Sequence, residues 1–119
     1  MSLVENLKVN KGRFSLEVSH FEILDEGIHV IMGPSGSGKS TFLRVLLGLE
    51  SGATYSWKFG DLDLSTLSTK EKRLGVVFQN GDLFPHMTAY ENVMFAAEAR
   101  GLSAAETDEL WVQFRQRLK

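Results

Sequence analysis

The chain has 119 residues, of which 43% are hydrophobic and 24% are charged, so its length and composition fit one globular domain. Its formal net charge of -2 gives no global reason to expect nucleic acid as a partner, because nucleic-acid-binding domains usually carry a basic face. The absence of cysteine excludes disulfides, thiolate metal sites and a cysteine nucleophile, and it favours a reducing compartment, with the cytoplasm as the default. No apolar run approaches the roughly 18 residues that cross a bilayer, and the first residues lack a signal-peptide pattern. We therefore expect any membrane contact to be made through a partner protein.

A β-hairpin is predicted at the amino terminus. Apolar residues between Leu3 and Val9 indicate a first strand, and Asn10-Lys11-Gly12 has the chemistry of a turn. From Phe14 to His20 apolar and polar residues alternate with a period of two, which predicts a half-buried antiparallel strand. A third strand of this kind is predicted from Ala53 to Phe59.

Two short, nearly continuous apolar runs predict buried strands of a parallel core. The first is Ile28 to Met32, and the second is Leu74 to Phe78. Between them, Phe42, Val45, Leu46 and Leu49 share the spacing of one helical face that can pack on a sheet. The polar stretch from Asp61 to Lys72 has no clean period and predicts a loop with one helical turn.

A phosphate-binding loop is predicted directly after the first of these runs. The segment matches the pattern G-x-x-x-x-G-K-[ST] at every specified position. Its residues are Gly33, Pro34, Ser35, Gly36, Ser37, Gly38, Lys39, Ser40 and Thr41. Glycines let successive backbone N–H groups turn towards an anion, and the helix that begins near Lys39 directs its positive dipole end at the same place. The Lys39 ammonium can reach the β- and γ-phosphates of a nucleotide, and the Ser40 hydroxyl can bind Mg²⁺.

The last third of the chain is predicted to be helical. Thr88 with Glu91 and Ser103 with Glu106 have the spacing of helix capping boxes, and Gly101 separates the two helices. The second helix carries an apolar stripe of Leu110, Trp111, Phe114 and Leu118. This stripe is either ordinary packing against the preceding helix or a surface for association.

Two separated segments together resemble the ATP-binding subunits of ATP-binding cassette (ABC) transporters: Gly33 to Arg44, and the Q-loop-like segment from Leu74 to Val93. The resemblance implies a cytosolic subunit that binds Mg-ATP between two copies and contacts transmembrane subunits through the Q-loop and the helical region. It implies that Lys39 and Gln79 are catalytic, and that Ser40 and Gln79 contact the metal. A neutral amide at Gln79 suits the positioning of metal and water rather than proton abstraction.

The resulting fold prediction is an α/β structure of the P-loop NTPase type, with an antiparallel amino-terminal sheet, a partial parallel core and a helical subdomain. We expect an ATP-binding core over residues 1–87 and the start of the helical subdomain over 88–119. A dimer or an exchanged element could compensate for missing core strands.

Several departures from the family pattern limit the predicted activity. The position at which family members often hold adenine on an aromatic ring aligns with Lys11, read here as a solvated loop lysine, whereas Phe14 is predicted to be a core residue. The sequence contains no Leu-Ser-Gly-Gly-Gln-like signature, no later strand ending in Asp-Glu and no switch histidine. We therefore expect binding of Mg-ATP or phosphate with little hydrolysis, or, as the alternative, a non-catalytic fragment that self-associates through its helical tail.

Some polar residues are interpreted as structural. The Asp25-Glu26 pair ends an apolar stretch, but it precedes the phosphate loop and has good turn chemistry. His20, His29 and His86 have no spacing that indicates a metal site.

Overall fold

The computed structural model describes residues 1–118. Lys119, the last residue of the predicted helical subdomain, lies outside the described residues. The chain forms two compact units, Met1–Gly75 and the segment that begins at Val76. The α/β class, the antiparallel amino-terminal sheet and the helical region are confirmed.

A four-stranded antiparallel sheet forms most of the first unit, in the order β2-β1-β3-β4. Its strands are β1 (Ser2–Lys11), β2 (Phe14–Ile23), β3 (Thr54–Phe59) and β4 (Leu62–Asp63). The register of the β1–β2 hairpin pairs Lys11 with Phe14, so the predicted turn chemistry falls where the chain reverses. Strand β2 extends to Ile23, which places the apolar stretch before Asp25 in the sheet.

A bulge in β1 determines which of its side chains face the core. Asn6 has a φ of 52°, and the pairing of β1 with β3 shifts by one residue between Glu5 and Lys8. Strict alternation would place Val4 and Leu7 on opposite faces, yet both are fully buried because the bulge reverses the alternation between them.

Helix α1 (Lys39–Leu47) packs on this sheet and completes the core. Its Phe42 ring meets that of Phe21 edge to face, with centroids 5.1 Å apart. The Trp57 indole is buried in the same cluster, where its Nε1 donates a hydrogen bond to Ser2 Oγ at 3.1 Å. The buried members of the cluster are Val4, Leu7, Val9, Phe42, Val45, Leu46 and Trp57.

The two apolar runs predicted as parallel strands do not form strands. Ile28 and Met32 are 92% and 85% exposed, and Val77 is 96% exposed. A strand requires a neighbour for its backbone N–H and C=O groups, and the sheet within residues 1–118 includes neither run. The apolar composition of these runs indicates a preference for burial. It does not show whether neighbouring strands are present to bury them.

The stretch between β3 and Gly75 contains two short elements that the sequence did not separate. Strand β4 has two residues, and a 3₁₀ helix follows at Leu64–Thr66. Asp63 begins the 3₁₀ helix, and its Oδ1 accepts hydrogen bonds from Ser65 N at 3.0 Å and Ser65 Oγ at 2.6 Å. These bonds hold the pKa of Asp63 below its usual value, with the Ser65 hydroxyl as the largest cause.

The second unit contains helices α2 (Ala89–Ala99) and α3 (Ala104–Arg117). Both predicted capping boxes are present, with Thr88 and Glu91 at the start of α2 and Ser103 and Glu106 at the start of α3. No helix within residues 1–118 has the length and apolar character needed to cross a membrane.

Candidate functional site

The predicted phosphate loop forms a compact turn that leads directly into α1. Ser37 N donates to Pro34 O at 3.2 Å, and Gly36 and Gly38 have φ values of 80° and 99°. Residues with a Cβ adopt such values only with strain. Gly36 and Gly38 therefore stand where the backbone requires glycine.

The first backbone N–H groups of α1 lack intrahelical acceptors and lie next to this loop. Gly38 is the N-cap residue and provides no side-chain hydrogen bond, and the first turn of α1 carries no acidic residue. The first N–H groups of a helix have no partner within the helix, and its dipole makes this end positive. The end of α1 is therefore suited to an anion such as phosphate.

The Lys39 ammonium lies inside the loop. Its Nζ donates to the backbone carbonyls of Gly33 and Pro34, both at 2.7 Å, and to Ser37 Oγ at 3.2 Å. The positive charge is thus fixed among the residues whose N–H groups would face a phosphate. The structure brings together the residues that the motif had grouped.

The phosphate loop rests on strand β2. A Cβ built on Gly38 would lie 2.9 Å from Phe14 Cζ and 3.0 Å from Leu16 Cδ1, so these side chains pack directly against the loop backbone. An apolar groove of about 340 Å³ extends along this contact, lined in part by Leu16, Val18, Phe21, Met32, Lys39 and Phe42. The period-two pattern of β2 indicated that its apolar residues share a face, but not that this face supports the loop.

Ser40, the predicted magnesium ligand, is exposed on the first turn of α1. No group of three or more His, Asp or Glu side chains within residues 1–118 could hold a metal ion by itself. The predicted ligand for Mg²⁺ is therefore the Ser40 hydroxyl, next to the phosphate loop. Such a ligand fits a metal ion that also binds phosphate oxygens.

Gln79 is the predicted site residue that lies outside the first unit. It is exposed in a turn in which Gly81 N donates to Phe78 O at 3.1 Å, and Gly81 has a φ of 65°. The structure therefore places Gln79 in a turn rather than at the end of a strand.

Comparison with known proteins decides the family. The chain matches the ABC transporter family over residues 16–118. This chain belongs to the ABC transporter family.

Relatives with named functions support this assignment. A sulfate/thiosulfate import ATP-binding protein of Rhizobium meliloti is 43% identical over 98 residues, which cover 82% of this chain and 28% of that protein. An sn-glycerol-3-phosphate import ATP-binding protein of Cereibacter sphaeroides is 41% identical over 104 residues, which cover 85% of this chain and 30% of that protein. The chain thus spans less than a third of the length of either relative.

In this ABC transporter chain, the Lys11 side chain is half exposed, and it takes part in an ion-pair cluster. Glu50 Oε1 accepts from Lys11 Nζ at 3.1 Å and from Arg44 Nε at 2.8 Å. The Glu50 side chain is only 8% exposed, and the hydrogen bonds from Arg44 and then Lys11 lower its pKa. The cluster joins the end of β1 to α1, and because its partners are 39 residues apart, no local pattern could predict it.

Asn92 is a structural residue that the sequence reasoning missed. Its Oδ1 accepts from Phe84 N at 2.9 Å, and its Nδ2 donates to the carbonyls of Phe84, Met87 and Thr88 at 3.3, 3.3 and 2.9 Å. One amide thereby fixes the connector that leads into α2. The available signal was an asparagine inside a predicted helix, where this residue type is disfavoured unless its side chain bonds elsewhere.

Asp25, His29 and His20, which were singled out in the sequence, have partners near the carboxyl end of β2. The amino-terminal ammonium pairs with Asp25 Oδ1, and His29 Nε2 accepts from Leu24 N at 3.1 Å. His20 Nε2 lies 3.1 Å from Glu22 Oε1. These contacts hold the end of β2 and the turn after it, which is a structural role.

Proposed function

We propose that this chain binds Mg-ATP through Gly33 to Thr41 and acts as part of the ATP-binding subunit of an ABC importer. The observation that carries the proposal is the Lys39 ammonium, held by two loop carbonyls at 2.7 Å beside the amino terminus of α1. The relatives named as import ATP-binding proteins support the direction of transport. The solutes in their names, sulfate or thiosulfate and glycerol 3-phosphate, suggest an anionic cargo.

The loop would bind the triphosphate in three ways. Backbone N–H groups around Gly36 and Gly38 would donate to phosphate oxygens, and the α1 dipole would favour their charge. The Lys39 ammonium would exchange its carbonyl partners for the β- and γ-phosphates. Mg²⁺, when bound, would neutralise phosphate charge, with the Ser40 hydroxyl as a ligand.

Gln79 is proposed to position water and metal in the complete subunit, as the family resemblance implies. An amide carbonyl can accept a hydrogen bond from water or bind a cation, but the amide cannot remove a proton at neutral pH. Phosphoryl transfer depends on positioned water, metal and charge stabilisation. Since the sequence contains no Asp-Glu strand and no signature segment, we propose hydrolysis near the background rate for this chain alone.

Isothermal titration calorimetry with Mg-ATP tests the binding proposal. We expect saturable binding to the chain, and a loss of at least tenfold in affinity in Lys39→Ala, since charge-assisted hydrogen bonds to phosphate are lost. Lys8→Ala is the matched control, because Lys8 is exposed and its ion pair with Glu17 is long, at 3.8 Å. Equal affinity of the chain and Lys39→Ala would overturn the proposal, and Lys39-dependent turnover well above background would overturn the claim of weak hydrolysis.

We propose that transmembrane subunits are the partners of the complete protein, contacted through the Q-loop segment and the helical region, on the cytoplasmic side of the membrane. The relatives are named as ATP-binding proteins of import systems. These names support a role in ATP binding for this subunit, with the solute carried by the transmembrane subunits. Cross-linking from a cysteine introduced at exposed Asp82 in the complete transporter tests the contact. Cross-links confined to other ATP-binding subunits would count against it.

Self-association through α3 is a second candidate function. Trp111 packs against Tyr90 with ring centroids 5.5 Å apart, so part of the apolar stripe is ordinary packing within the unit. Leu118, at the end of the stripe, is 84% exposed. Light scattering of the chain and of Leu118→Glu tests this function, and a strictly monomeric chain at high concentration would exclude it.

A further inference from the structure

Lys72 is a buried lysine outside the phosphate loop. The residue is 7% exposed, and its Nζ donates to Leu46 O and to the Tyr55 hydroxyl oxygen, both at 2.9 Å. No carboxylate within residues 1–118 forms a salt bridge with it, so its burial is compensated by the carbonyl and hydroxyl contacts.

These contacts lie at the carboxyl-terminal end of α1. The last four carbonyls of a helix have no partner within the helix, and here each has one from outside. Leu49 N and Gly48 N donate to the carbonyls of Arg44 and Val45 at 2.9 and 3.0 Å. Lys72 Nζ donates to Leu46 O, and Thr69 Oγ1 donates to Leu47 O at 2.8 Å.

The turn that carries Thr69 and Lys72 is closely fitted to the helix end. A Cβ on Gly48 would lie 2.9 Å from Thr69 Oγ1 and 3.5 Å from Lys72 Nζ. The turn is itself closed by Lys72 N to Ser68 O at 3.1 Å. A cation at this end also complements the negative pole of the α1 dipole.

Lys72 therefore holds the end of α1 that lies opposite the phosphate loop. The helix whose last turn it caps begins at Lys39, in the phosphate loop.

We propose that Lys72 is a positioning residue that holds α1, and through it the phosphate loop, in the arrangement that binds nucleotide. It contacts no residue of the loop and acts through the carboxyl-terminal turn of α1. This inference rests on the proposed function for its consequence in ATP binding. Its structural part, that Lys72 orders the phosphate loop, holds independently of any nucleotide.

Hydrogen exchange of the ligand-free chain tests the structural part. In Lys72→Met, we expect the hydrogen-bonded amides of Ser37 and Phe42, at the loop and the start of α1, to exchange faster relative to core amides of β1, such as those of Leu7 and Val9. Lys72→Arg should restore slow exchange, because a guanidinium can donate to the same carbonyl. Lys70→Met is the matched control, since Lys70 lies in the same turn but is exposed. A uniform increase over all amides would reduce Lys72 to a stabilising residue and overturn the proposal.

Mg-ATP titration of the same variants tests the consequence. We expect Lys72→Met to bind about five- to tenfold more weakly, with wild-type affinity in Lys72→Arg and Lys70→Met. If the chain binds no Mg-ATP, the proposed function fails while the exchange result still decides the role of Lys72. If Lys72→Met does not fold, Thr69→Val removes only the neighbouring bond to Leu47 O, and unchanged loop exchange in that variant would overturn the proposal.

Discussion

The aromatic ring of Phe14 lies directly against the backbone of Gly38, so that a Cβ on this glycine would be 2.9 Å from Phe14 Cζ. The phosphate loop is therefore supported by strand β2 at the residue that caps α1. Glycine is required at position 38 for two reasons. The contact leaves no room for a side chain, and the φ of Gly38 is 99°.

Gly38→Ala is expected to destabilise the chain by about 2–3 kcal/mol, since it combines backbone strain with overpacking. Gly36→Ala should cost only about 1–2 kcal/mol, because its φ is 80° but no atom lies within 4 Å of its Cβ position. Urea unfolding measures both. Combining Gly38→Ala with Phe14→Leu should recover part of the loss, and strict additivity would show that the contact with Phe14 does not matter.

Asp63 is expected to give the chain a dependence of stability on pH in the acid range. Hydrogen bonds from Ser65 and Trp57 lower the pKa of Asp63 below its ordinary value of 3.8. A carboxyl whose pKa is lower in the folded state stabilises that state above its ordinary pKa, and this contribution is lost as the pH falls through the folded value. Asp63→Asn should be less stable than the wild type near neutrality, because a carboxylate oxygen accepts these hydrogen bonds more strongly than an amide oxygen does, and the difference should shrink below about pH 4.

Denaturant unfolding at several pH values measures this effect. Asp61→Asn is the matched control, because Asp61 is exposed two positions earlier. A difference between Asp63→Asn and the wild type that stays constant down to pH 2 would show that the charge of Asp63 contributes nothing.

The cluster of Lys11, Arg44 and Glu50 is expected to make stability sensitive to salt. Glu50→Gln keeps the shape of the side chain but removes its charge, so its thermal midpoint should fall below that of the wild type at low ionic strength. Because the screening length falls to about 3 Å at 1 M salt, the difference should narrow there. Glu17→Gln is the control, as the Lys8–Glu17 pair is longer, at 3.8 Å, and exposed. Equal midpoints for Glu50→Gln and the wild type at low salt would contradict the assignment.

Ser103→Ala is expected to destabilise α3 by about 1 kcal/mol, because it leaves the N–H of Glu106 without its cap. Hydrogen exchange of the α3 amides measures the change, which should appear first in the turn after Ser103. Gln116→Ala alters an exposed position near the other end of the same helix and should change little. Comparable effects of the two substitutions would rule out a special role for the capping box.

Local patterns predicted local structure. The alternation from Phe14 to His20 predicted a strand, and the glycines of the phosphate loop predicted its turn. The spacing of Thr88 and Ser103 to their glutamates predicted two helix starts. Each of these features depends on residues within about four positions. Boundaries were less accurate, as β2 extends to Ile23. Strand β4 was missed because two residues carry no period.

Features that depend on distant residues could not be predicted in this way. Ile28 to Met32 has the composition of a buried strand, but burial depends on neighbouring strands, and its outer residues are exposed here. The contacts of Lys72 with Leu46 and of Lys11 with Glu50 join residues 26 and 39 positions apart. A period identifies the face on which a side chain lies, whereas its partner on another element follows only from the fold.

Each of the two units contains one tryptophan, so the unfolding of each unit can be followed separately in solution. The chain has two such residues: Trp57 is buried in the core of the first unit, and Trp111 meets Tyr90 in the second. The tryptophan fluorescence of Trp111→Phe, excited at a wavelength that tyrosine does not absorb, therefore reports on the sheet and α1, and that of Trp57→Phe on the α2–α3 pair. Recording both during denaturation distinguishes a single cooperative transition from two independent ones, without any added label.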